Sequence, residues 1–218
     1  TAGWGAVLQR FVVWTHDSFW GVFGWMGAWL DGRVYTALLA LTLIVIIGAL
    51  SRDTAAADEG NAGLRVWVDD LAESRFRRWA LLALASAALG TWAIYLAYNV
   101  LFVQTQGRYL FPALPAISLA AAWGWQRVVQ RRDVARRAAL ALLIAAATAA
   151  GWGVLTQGQL NPWSVLILAA AAAALIGWSG LPERVRRAAS GWMLALPFAA
   201  LALVALYAWF GVIIPQLH

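Results

Sequence analysis

The sequence predicts an all-α fold: a polytopic bundle of transmembrane helices. Hydrophobic residues make up 63% of the 218 positions and charged residues only 12%. The apolar residues gather in six runs, at about 34–50, 79–103, 109–129, 138–156, 163–179 and 191–214, each near the ~20 residues needed to cross a bilayer. All sixteen basic residues are arginine, and thirteen of them fall in three connections, 51–78, 126–137 and 180–190. The other three, Arg10, Arg33 and Arg108, fall on the opposite side, and with six spans the two sets alternate without a violation. The positive-inside rule then sets the Arg-rich connections in the cytoplasm of a cell (inner) membrane protein, with both termini outside. Alternation of lipid-facing and lumen-facing residues, the mark of a membrane barrel, is missing, and alanine runs such as 169–174 favour helix.

Residues 1–33 read as an outer interfacial segment and 34–214 as the membrane domain. Trp4, Val7, Leu8, Phe11 and Trp14 recur at helical spacing, interrupted by Gln9 and Arg10 before the run could span, which predicts a helix lying on the outer surface. Trp20, Trp25 and Trp29 follow with glycines at 21, 24 and 27. Tryptophan at this density suits a water–lipid boundary, and the glycines permit either close packing or a break. His16 and Asp17 read as an exposed polar turn rather than an acid–base pair. After the first span, Leu64, Trp67, Val68 and Leu71 fall at i, i+3, i+4 and i+7 beside Asp69, Asp70 and Glu73, a cytoplasmic amphipathic helix with a solvated acidic face.

The second span carries Ser86 and Gly90 four apart, and the fifth Ala173 and Gly177, faces suited to close contact between helices. Tyr95, Tyr98 and Asn99 gather toward the outer end of the second. The third span begins with Gly107, Arg108, Tyr109, Leu110, Phe111 and Pro112, and proline with its fixed φ suits a first helical turn. Arg108 beside a helix start either grips a phosphate or carboxylate at the membrane surface, or snorkels to the headgroups with Tyr109 in an aromatic belt. Pro197 is expected to bend the last helix and Pro215 to end it.

Residue types also exclude. No Asp, Glu, His or Lys lies inside any span, so the buried relays of a proton-coupled carrier have no basis here. The histidines are His16 and His218, neither on a span, which rules out axial ligation of haem or chlorophyll from one of these helices. There is no cysteine, no phosphate-binding glycine loop and no complete catalytic or metal-ligating set, so no catalytic residue, metal or cofactor is assigned. The net charge of +6 is a consequence of topology and anionic lipid, not of a nucleic-acid partner.

Two stretches, Ser18-Phe19-Trp20-Gly21-Val22-Phe23-Gly24-Trp25-Met26 and Gln106-Gly107-Arg108-Tyr109-Leu110-Phe111-Pro112-Ala113-Leu114-Pro115, resemble the C-terminal half of a bacterial family of large membrane proteins akin to the GT-C glycosyltransferases. The resemblance covers roughly residues 15–130. It implies transfer of a sugar from a polyprenyl phosphate carrier on the outer side of the membrane, as in protein mannosyltransferases, with Arg108 on the carrier phosphate and Tyr109, Gln106 and Trp20 shaping the site. The family's catalytic acid lies in a first outer loop that has no counterpart here. The expectation is therefore a carrier-binding C-terminal portion that is not catalytic by itself, its partners being lipids, the carrier and an N-terminal half. The lack of a starting Met at Thr1 suits a fragment or processed product. The alternative is a non-catalytic accessory subunit of a larger membrane complex.

Overall fold

A computed structural model describes residues 4–23, 27–51, 75–102, 105–157 and 161–216. They form α1 (Trp4–Gly21), a two-residue hairpin of β1 (Val22–Phe23) and β2 (Ala28–Trp29), α2 (Gly32–Leu50), α3 (Arg75–Leu101), a 3-10 helix (Gly107–Ala113), α4 (Leu114–Gln130), α5 (Arg132–Gln157), α6 (Pro162–Gly180), α7 (Glu183–Tyr207), a π-helical turn (Ala208–Ile213) and a terminal 3-10 turn (Ile214–Gln216). The protein is an all-α, membrane-embedded bundle: among the described residues five helices, covering 32–50, 78–101, 132–155, 162–180 and 183–213, are long and apolar enough to cross a bilayer. The third expected span is composite. Pro112 and Pro115 remove two backbone donors within four residues, and regular i to i−4 bonding starts only at Leu114, after a 3-10 lead-in. The amphipathic helix expected at 64–71 lies outside the described residues.

Three helices begin several residues earlier than their apolar runs, α3 at Arg75 among them. α5 starts at Arg132 and α7 at Glu183, because arginine is a good helix former whose long side chain reaches the polar region while its stem stays among apolar groups. Caps define other ends. Asp31 accepts from the Arg33 N–H at 2.7 Å to open α2, and Ser51 donates to the Ile47 carbonyl at 2.6 Å where it closes. Asn161 accepts from the Trp163 and Ser164 N–H groups to open α6.

The core joins α2, α4, α5 and α6. Ala40 and Ile44 meet Trp125, Val128 and Val129 of α4, and Val134, Ala138 and Leu142 of α5 meet Leu168, Ala172 and Leu175 of α6. α5 against α6 is the most extensive helix pair, followed by α2 against α4. The α2–α4 crossing is glycine on glycine: a Cβ on Gly48 would strike the Gly124 backbone, and one on Gly124 would strike the Val45 carbonyl and the Ala49 nitrogen. Small residues permit such an approach between membrane helices, where dispersion replaces hydrophobic driving force. Among the described residues, the faces expected to do this work do not: Gly90 and Gly177 have no atom within 4 Å of an added Cβ, and Ser86 and Ala173 are exposed, so these faces point away from the other described helices. α3 turns inward a different stripe, Ala80, Leu84, Ala88, Thr91, Tyr95 and Asn99.

α2, α4 and α6 run parallel. Thr36 and Ser164 hydroxyls lie 3.2 Å apart and the Arg33 guanidinium sits 4.1 Å from the Trp163 ring, joining the starts of α2 and α6. The N-terminal segment docks on this end. The Tyr35 hydroxyl donates to the Gly21 carbonyl at 2.5 Å and accepts from the Leu30 N–H at 3.1 Å, tying both sides of the hairpin to α2. Trp29 packs edge-on to Trp14 and to Tyr35. Of the two roles left open for the glycines, Gly21 ends α1. The hairpin that follows is antiparallel, with Val22 opposite Trp29 and Phe23 opposite Ala28.

Candidate functional site

The turn before α4 is clamped to α1. Ser18 Oγ accepts from the Gly107 N–H at 2.6 Å and donates to the Trp14 carbonyl at 2.5 Å. Gly107 is required sterically, since a Cβ there would run into the Thr15 carbonyl, the Phe19 nitrogen and the Phe19 Cβ. Phe19 and Phe111 meet edge to face at 5.9 Å, and the Thr15 and Tyr95 hydroxyls share a bond of 2.6 Å. Three segments, α1, α3 and the 105–113 stretch, therefore converge on one junction.

This turn sets Gln106, Arg108 and Tyr109 at fixed places. The Gln106 carbonyl accepts from the Tyr109 N–H at 3.1 Å, while its side-chain Oε1 is buried with no hydrogen-bond partner among the described residues. Arg108 and Tyr109 are exposed, with the guanidinium 5.7 Å from the Tyr109 ring and that ring packed on Tyr98 at 5.8 Å. The backbone supplies less than a helix start promises. Gly107 N–H is spent on Ser18, Tyr109 N–H on Gln106, and Pro112 and Pro115 have none.

Trp20 goes elsewhere. Adjacent helical residues point about 100° apart, so Phe19 faces the 3-10 helix while Trp20 donates to the Thr42 hydroxyl at 3.2 Å on α2. It lines an apolar cleft of about 250 Å³ with Leu30, Leu201, Val204, Ala208 and Trp209. None of Gln106, Arg108 and Tyr109 lines that cleft.

Other polar groups join the junction, some of them in a role different from the expected one. His16 and Asp17 lie inside α1, not in an exposed turn. Their side chains are only 14% and 18% exposed, with His16 Nδ1 2.8 Å from Asp17 Oδ1. The other ring nitrogen, Nε2, is buried with no partner among the described residues. Asn99 donates its amide to the Tyr95 carbonyl at 2.9 Å, leaving its Oδ1 buried and likewise unpaired. The i, i+4 spacing of Tyr95 and Asn99 and the i, i+3 spacing of Thr15 and Ser18 were the available signals of a polar face on each helix. Among the described residues, no group of three His, Cys, Asp or Glu side chains comes together as a metal site. No family model, curated protein or solved structure matches this sequence.

Proposed function

We propose that this chain is the carrier-binding membrane portion of a GT-C-like glycosyltransferase, in which the 105–109 turn receives the phosphate of a polyprenyl phosphate sugar carrier and residues outside this chain supply the catalytic acid. The observation that carries the reading is the rigid presentation of Arg108. Its neighbour Gly107 is locked to Ser18 by a 2.6 Å bond in a space that admits only glycine, so the guanidinium starts from a fixed backbone instead of a free loop. A planar fork of donors so held suits a phosphate, and pre-ordering lowers the entropic cost of gripping it. Tyr109 gives the isoprenoid an apolar ring at the same level, and the side chain of Gln106 lies beside Arg108 in the same turn. In this reading the turn faces outward across a cell membrane and the Arg-rich end faces the cytoplasm.

The experiment titrates purified protein in detergent with a short-chain polyprenyl phosphate and, separately, with the uncharged polyprenol of equal length. The proposal expects at least tenfold tighter binding of the phosphate, and equal binding of the two would overturn it.

One observation favours an accessory subunit instead. α3 exposes apolar side chains such as Leu82, Leu89, Trp92, Ile94 and Leu96, with the small residues Ser86 and Gly90 facing the same outside. A partner helix would find there the close approach that the other described helices do not use.

A further inference from the structure

The end of the bundle opposite Arg108 holds a second arginine group, built differently from a loose basic loop. Arg132 Nη2 donates to the Leu181 carbonyl at 2.8 Å and lies 3.8 Å from Glu183. One turn on, Arg136 Nε donates to the Ser179 hydroxyl at 3.4 Å. Both reach from α5 to the α6–α7 turn, where Arg187 Nε lies 3.6 Å from Glu183. Beneath them Arg186, its side chain 5% exposed, donates to the Val129 and Gln130 carbonyls at 3.2 and 2.5 Å and pairs with Glu183 at 3.4 Å. Glu183 is thus within ion-pair reach of three guanidiniums, while Asp133 on α5 pairs with Arg131 and Arg137; counting Arg136, these groups set six guanidiniums against two carboxylates among the described residues.

Such an imbalance at a partly dehydrated surface is costly unless a counter-anion joins it. Arg132, Arg136 and Arg187 are exposed; Arg132 and Arg136 each spend one N–H on the contact named above and Arg187 lies in ion-pair range of Glu183, while a guanidinium carries five N–H donors. We propose that these three arginines form a headgroup site for the phosphodiester of an anionic phospholipid. The group lies where a membrane-spanning bundle meets the headgroup layer, so the phosphate arrives attached to a lipid, and planar forks held in place match its oxygens. Diffuse attraction of basic loops to anionic lipid depends on charge number alone. A built site depends on which arginine is removed.

The test places wild type, Arg187→Gln, Arg136→Gln and Arg184→Gln in nanodiscs of phosphatidylcholine with increasing phosphatidylglycerol, and reads the retained phosphatidylglycerol by mass spectrometry. Arg184 is exposed on the same helix and removes the same charge, so it serves as the control. Loss of a charge-assisted contact should weaken lipid binding about tenfold in Arg187→Gln and Arg136→Gln, while Arg184→Gln stays within about twofold of wild type. Equal loss in all three variants, or no preference for phosphatidylglycerol in wild type, overturns the proposal. Inorganic phosphate added to pure phosphatidylcholine discs is the second arm: if it raises the melting temperature as much as the anionic lipid does, the site takes a soluble anion and the lipid assignment is wrong.

Discussion

Replacing Gly124 and Gly90 by alanine should change stability in opposite directions. A methyl on Gly124 falls against the Val45 carbonyl and the Ala49 nitrogen, both backbone atoms of α2. No flexible side chain can yield, so the two helices must separate, and α2 and α4 lose contact along the crossing that holds Ile44, Trp125 and Val128. Overpacking in a close-packed interior costs about 1–3 kcal/mol, and a clash with main chain belongs at the upper end. At about 2–4 °C per kcal/mol for a chain of this size, Gly124→Ala should melt roughly 6–12 °C lower. Gly90 has nothing within 4 Å of the same methyl, and alanine exceeds glycine in helix propensity by about 1 kcal/mol, so Gly90→Ala should melt at the wild-type temperature or slightly above. Tryptophan fluorescence and size exclusion in one detergent read both. Equal melting temperatures for the two variants would refute the packing argument.

Further outcomes follow from single contacts. Tyr35→Phe leaves the Leu30 N–H and the Gly21 carbonyl without the hydroxyl they share, and should cost about 1–3 kcal/mol while exposing the hairpin to limited proteolysis; unchanged digestion would contradict the docking role. Arg186→Met removes the donor to the Gln130 carbonyl and one of two donors to the Val129 carbonyl, which keeps the Trp178 indole N–H, and should destabilise by roughly 1.5–3 kcal/mol, more than Arg184→Met, as thermal melts of the pair would check. Gly158→Cys in this cysteine-free chain should react with an impermeant thiol reagent on intact cells, and reaction only after the cells are opened would reverse the proposed orientation.

The helices were legible because continuous apolar runs in a membrane protein have one economical solution, the internally bonded helix. Their ends were less so. Arg132 and Glu183 look like loop residues by polarity, yet both open helices. Small residues misled in a specific way: four-residue spacing made Ser86 and Gly90 conspicuous, whereas the crossing that matters pairs Gly48 with Gly124, one glycine from each helix and no motif on either. A small residue permits close approach and does not say which helix arrives. In the candidate site, Gln106, Arg108 and Tyr109 were found as neighbours in sequence, but the clamp through Ser18 and the burial of His16 and Asn99 depend on contacts across roughly ninety residues. Trp20 was grouped with the turn through the resemblance of the 18–26 and 106–115 stretches; its neighbour Phe19 does touch Phe111, but one step along the helix the indole goes to Thr42 instead.

The most direct test of the account is the affinity of a short-chain polyprenyl phosphate for wild type, Arg108→Lys and Arg108→Ala, each checked for intact folding. A headgroup anchor asks only for positive charge and reach, which lysine supplies; a phosphate grip asks for the planar fork, which it does not. The account predicts that both variants lose roughly ten- to a hundredfold in affinity, the equivalent of one charged hydrogen-bonded contact of about 1.5–3 kcal/mol. Binding by Arg108→Lys equal to wild type would contradict it and leave the 105–113 stretch as a clamped helix start with a surface anchor.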